Sequence, residues 1–113
     1  NYGFIPNTCA EDGDALDILI YCNTAIERGT LVECKVLGCL DMTDNGEKDY
    51  KVLAVPTSHH KKYNEVDDIS EDWLNIAANF FARYKDLDNK RVVIDGWIDR
   101  QRTYDIIDSC KNS

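Results

Sequence analysis

Hydrophobic residues change their spacing twice along this chain, and each change marks a different kind of element. LDILIY, 16–21, is a short apolar run between a glycine turn and Asn23; it predicts a strand with Asp17 at its beginning. LVECKVLGCLDM, 31–42, alternates at first and then breaks at Gly38, the pattern of a long strand kinked or bulged at the glycine. YKVLAVP, 50–56, predicts a third strand stopped by Pro56, and period-two alternation puts Lys51 on the same face as Asp49.

From Ser70 the period lengthens. Trp73, Ile76, Ala77, Phe80, Phe81, Tyr84 and Leu87 recur at three and four, which predicts an amphipathic helix behind a serine cap with Glu71 and Asp72 in its first turn. Trp73, Phe80 and Phe81 are expected to pack against the sheet. RVVIDGW, 91–97, returns to strand composition, and Tyr104, Ile107 and Cys110 mark a closing helix between Asp99 and Lys111. NYGFIP reads as an aromatic turn and TDNGEKD, 43–49, as an acidic loop. Four strands and two helices predict a mostly antiparallel α+β domain, mainly β, with a small barrel as its natural form. Closing a barrel ordinarily takes five or more strands, so the sheet is either open or short of an N-terminal portion.

A length of 113 residues supports one domain, 1–113. The net charge, 13 − 21 = −8, would repel a phosphate backbone, which argues against a nucleic-acid partner. Cys9, Cys22, Cys34, Cys39 and Cys110 are odd in number and contain no C-x-x-C pair, so they read as reduced thiols in a cytoplasmic protein. No apolar run approaches the roughly 18 residues of a membrane span, and no signal segment opens the chain. The first residue is Asn1, and an N-terminal portion is expected to be missing upstream of it.

The charge is not spread evenly. Asp12, Asp14 and Asp17 crowd one strand end, and Asp41, Asp44 and Asp49 another. Carboxylates about 5 Å apart repel by around 1 kcal/mol per pair even in water, so such clusters call for cations. Hard oxygen donors suit Mg²⁺ or Ca²⁺ and not zinc. An EF-hand fails, because counting from Asp12 gives Asp17 at the sixth position and Asn23 at the twelfth. The sequence has no Walker A motif, G-x-G-x-x-G, G-x-S-x-G or H-E-x-x-H. His59 and His60 read as a solvated loop pair. Mg²⁺ is commonly shared between one or two carboxylates and substrate phosphates, which points to a phosphate-bearing ligand. Lys51, Tyr84 and Lys85 are candidate donors to its oxygens, although Tyr84 alone suits a core stripe and Lys85 its edge.

NYGFIPNT, EDGDALD, GCLDMTDNGEKDYKVLAVP, ANFFARYKDLD and VVIDGW together resemble the soluble family I inorganic pyrophosphatases of bacterial type, in the same order and over Asn1 to about Trp97. Ala15 stands where the family signature D-G-D-P-x-D carries proline. The resemblance implies a small OB-type β-barrel, closed or partly open, with flanking helices. It also implies a hexameric homo-oligomer and Mg²⁺-dependent hydrolysis of inorganic pyrophosphate to two orthophosphates. Carried over by position, Asp12, Asp17 and Asp49 are ligands of the activating metal, and Asp44 with Asp49 holds ions that arrive with substrate. Asp14 takes the proton of the attacking water, while Tyr2, Lys51, Tyr84 and Lys85 bind phosphate. The family's N-terminal strands bring a glutamate, a lysine and an arginine into the site, and nothing before Asn1 supplies them here. The alternative is therefore a catalytically incomplete metal-binding or OB-type interaction module.

Overall fold

A computed structural model of the protein describes residues 2–10, 13–22, 25–59, 62–83 and 92–111. Among them run β1 (Tyr2–Ile5), β2 (Leu16–Ile20), β3 (Cys34–Asp44), β4 (Glu47–Lys48), β5 (Lys51–Pro56), α1 (Glu71–Arg83), β6 (Val92–Ile98) and α2 (Arg100–Cys110). The strands form one sheet in the order β1-β2-β5-β3-β4, with β6 pairing β3 as well. Among the described residues β1 at one edge pairs with neither β4 nor β6 beyond β3, so the barrel is partly open.

Two strands go beyond the sequence expectation. NYGFIP is not a turn: Tyr2–Ile5 pairs antiparallel with β2, Tyr2 facing Leu19 and Ile5 facing Leu16. The acidic stretch 43–49 is a hairpin, because Asn45 and Gly46 take positive φ of 52° and 84° and bring Asp44 opposite Glu47. Two-residue Asn-Gly turns favour this backbone, whose twist matches that of the flanking strands. The sheet is mostly antiparallel, as expected, with one exception: β2 and β5 run parallel. The chain leaves β2, crosses to β3 and returns as β5, antiparallel to β3, so β5 arrives beside β2 in the same direction.

The kink expected at Gly38 is a bulge, with Val36 opposite Ala54 and Gly38 opposite Leu53, leaving Leu37 as the extra residue. A Cβ at 38 would collide with Val66 Cγ2 and stand 2.5 Å from the Ile98 carbonyl oxygen. Glycine is required there by space. The helices cover opposite faces of the sheet. Leu40 and Met42 pack with Phe81 of α1, whereas Leu16, Cys39, Val52 and Ile98 pack with Ile106 and Ile107 of α2. Asp99 caps α2, accepting from the Arg102 N–H at 2.8 Å. No helix among the described residues is long and apolar enough to cross a membrane.

The facing of α1 differs from the expected stripe. Leu74 and Phe81 are buried, with Trp73 half-buried beside them, but Phe80 is 60% and Ile76 68% exposed. Adjacent helical residues lie about 100° apart, so Phe80 and Phe81 cannot both occupy the centre of one buried face. Leu74, seven residues before Phe81, sets the stripe.

Candidate active site

Four polar side chains from three stretches of chain meet on the α1 side of the sheet. Lys51 opens β5, where it stands opposite Asp17 in the parallel pair with β2 and opposite Leu40 in the antiparallel pair with β3. Residues directly opposite in a sheet share a face, so the register alone puts Asp17, Lys51 and Leu40 together. Tyr2 lies opposite Leu19, two residues beyond Asp17, and falls on that face as well. Asp49 is held by its own N–H, which donates to the Met42 carbonyl at 2.8 Å.

The result is a buried ammonium with three acceptors. Lys51, only 1% exposed, donates to Asp17 Oδ2 at 2.6 Å, Asp49 Oδ1 at 2.9 Å and the Tyr2 hydroxyl at 3.1 Å. Phe81 and Tyr2 wall the site, their rings 6.0 Å apart and each within 5.6 Å of Lys51 Nζ. Burial alone would push the Lys51 pKa down; its hydrogen bonds to Asp17, Asp49 and Tyr2 outweigh that and raise it above the ordinary lysine value. Burial likewise pushes the Tyr2 hydroxyl up to about 12, against the pull of Lys51. Both groups stay protonated at neutral pH.

The remaining expected site residues fall around this centre or outside the described chain. Asp14 is exposed in a turn closed by Ala10 N–H donating to its carbonyl at 2.8 Å, just ahead of Asp17 and β2. Asp44 continues the alternation of Leu40 and Met42, on the Lys51 face, with one carboxylate oxygen buried. Asp12, Tyr84 and Lys85 lie outside the described residues. Asp41 does not join Asp44 and Asp49: it points to the opposite face, where Lys48 Nζ meets it at 3.0 Å and Asp95 at 3.6 Å. Among the described residues no three His, Cys, Asp or Glu side chains group closely enough to enclose a metal ion. The carboxylates that do converge, Asp17 and Asp49, offer oxygen donors only, a set that fits Mg²⁺ or Ca²⁺.

Sequence reasoning found the Asp49–Lys51 pair from alternation but missed the Asp17–Lys51 contact and the Phe81 wall. Neither leaves a local signal, since one needs the β2–β5 register and the other the rotation of α1. A large cavity of about 810 Å³ touches this centre only through Tyr2; it is lined by Phe4, Ile18, Val36, Leu31 and Ile107 among others, and none of Asp14, Asp17, Asp44, Asp49 or Lys51 borders it.

Comparisons of sequence and of structure point to one family. The family model described as inorganic pyrophosphatase matches residues 1–113. The chain is similar to the inorganic pyrophosphatase of Halalkalibacterium halodurans, 40% identical over 111 residues, covering 96% of this chain and 68% of that one. The solved inorganic pyrophosphatase of Helicobacter pylori superposes with a TM-score of 0.90 at 33% identity, covering 97% of this chain and 68% of that chain. The one from Coxiella burnetii does so with a TM-score of 0.90 at 36% identity, over 97% and 68%. The chain thus spans about two thirds of the length of these relatives, and its sheet with two helices is of their OB type.

Proposed function

Because this chain belongs to the inorganic pyrophosphatase family, whose members hydrolyse pyrophosphate, we propose that the Lys51 centre and its surrounding carboxylates carry out that hydrolysis with magnesium. The observation that supports the reading most is the convergence of Asp17, Asp49, Tyr2 and Lys51 on one face within 3.1 Å. Asp17 and Asp49, with Asp12, are the ligands of the activating metal, and Asp44 with Asp49 receives ions that enter with substrate. Bound there, magnesium ions supply positive charge against a polyanion and lower the pKa of water toward neutrality.

The chain's own groups then do the rest. Asp14, three residues ahead of Asp17, orients the attacking water and takes its proton. Tyr2 and Lys51, with Tyr84 and Lys85, hold phosphate oxygens through charge-assisted hydrogen bonds, which steadies the leaving phosphate. Phosphoryl transfer asks a protein mainly for positioning and charge neutralisation, and these residue types serve both. Phe81 dries one wall, which strengthens each electrostatic contact.

Residues 1–113 belong to one pyrophosphatase domain in the cytoplasm, a placement supported by an odd number of cysteines with no C-x-x-C pair. Its homo-oligomer, a hexamer by family resemblance, has a ready contact face in the exposed Ile76 and Phe80 of α1.

Orthophosphate release from pyrophosphate tests the reading. Turnover is expected with Mg²⁺ and not with a chelator, and Asp14→Asn is expected to lose at least about a hundredfold in kcat, the usual scale for a general base. A folded protein that binds Mg²⁺ without turnover, and whose melting temperature gains nothing from pyrophosphate, supports the non-catalytic module instead.

A further inference from the structure

An ammonium group has three N–H donors. Those of Lys51 are matched by three acceptors, Asp17 Oδ2, Asp49 Oδ1 and the Tyr2 hydroxyl, at 2.6, 2.9 and 3.1 Å. In this arrangement Lys51 has no donor left for a phosphate oxygen. Two of these bonds also tie up an oxygen of each of the two carboxylates that the proposed function assigns to metal. One side chain is therefore committed against both ligands at once.

We propose that Lys51 is a resident counter-cation, which keeps Asp17 and Asp49 together in the metal-free protein and leaves them for phosphate once a divalent ion is bound. Three features carry this. Asp17 and Asp49 would repel each other without a cation between them, and among the described residues Lys51 is the cation in contact with both. Its stem is rooted in the buried start of β5, so the ammonium is held at a fixed place between the two carboxylates. Tyr2, whose hydroxyl is 3.1 Å from Nζ, is its third partner, so an ammonium released by the acids stays beside the other proposed phosphate donor. Metal and phosphate-bearing ligand then bind in order, because the first frees the group that holds the second.

This inference rests on the magnesium reading of the site, and the test separates the two. Calorimetric titration of MgCl₂ into the wild-type chain and the Lys51→Met variant is expected to show tighter Mg²⁺ binding in the variant, by at least about tenfold, because a competing charge is gone. At saturating Mg²⁺, methylenediphosphonate, a non-hydrolysable pyrophosphate analogue, is expected to bind the variant at least about tenfold more weakly, the loss of one hydrogen bond to a charged group. A purely structural role for Lys51 would weaken both. A second measurement needs no variant: in the wild type, labelling of Lys51 by an amine-reactive reagent, read by mass spectrometry, should rise with Mg²⁺. Equal or weaker Mg²⁺ binding by a folded Lys51→Met protein overturns the proposal alone, as does labelling unchanged by saturating Mg²⁺. No Mg²⁺ binding by the folded wild type overturns the proposal and the magnesium reading together.

Discussion

Asp17 and Lys51 stand in register across the parallel β2–β5 pair, and their charged atoms meet at 2.6 Å. The bond joins the first acidic stretch of the sequence to the second, 34 residues further on. It makes the two a single site. In metal-free buffer Asp17→Asn is expected to destabilise the chain by about 2 kcal/mol, the scale of a hydrogen bond to a charged group. Urea unfolding measures this, and an unchanged midpoint would show that Lys51 does not depend on Asp17.

Phe80 and Phe81 separate the two faces of α1. Phe81, 4% exposed beneath the site, is expected to cost about 3 kcal/mol on truncation to alanine. Phe80→Ala should change subunit stability by no more than about 0.5 kcal/mol while shifting the chain toward smaller assemblies in sedimentation. A large loss of stability in Phe80→Ala, with no change in assembly, would place the buried face differently.

Gly38→Ala adds a methyl where Val66 and the Ile98 carbonyl already touch, and the Ile98 oxygen belongs to backbone. Overpacking of this kind should cost at least about 2 kcal/mol. Thermal and urea denaturation of the variant give the number; wild-type stability would mean that the bulge at Leu37 yields easily.

Asp68 accepts from the backbone N–H groups of Asn64 and Glu65 at 2.7 and 3.0 Å, and these bonds hold its pKa below the ordinary aspartate value. A folded-state pKa below the unfolded one gives stability that is present above the unfolded value and lost as pH falls through the folded value. Asp68→Asn should therefore melt lower than wild type at pH 7, with the gap closing as pH falls through and below the ordinary aspartate range. A gap independent of pH would assign the effect to shape and not to charge.

What the sequence could reveal followed the range of its signals. Alternation over two residues joined Asp49 to Lys51, and the break at Gly38 marked the bulge, because both are local. Asn45–Gly46 carried a hairpin signal as well, but the surrounding charge made 43–49 read as a loop. β1 was hidden for a different reason: four residues around Gly3 read equally well as a turn until β2 supplies their partners. Whether β5 lies parallel or antiparallel to β2, and so whether Asp17 meets Lys51, depends on strand order, which no window of sequence contains. Asp41 was legible by the same alternation, which sends it to Lys48 on the far face from Leu40 and Met42, but reading 43–49 as a loop hid that Asp44 continues the strand on the other side.

The central claim is that an acidic pocket accepts a polyanion only after divalent ions reverse its local charge. Equilibrium binding of methylenediphosphonate to the wild-type chain, with Mg²⁺ and with a chelator, tests it most directly. Saturable binding in Mg²⁺ that vanishes under chelation is the predicted result; equal binding in both conditions, or none in either, would contradict it.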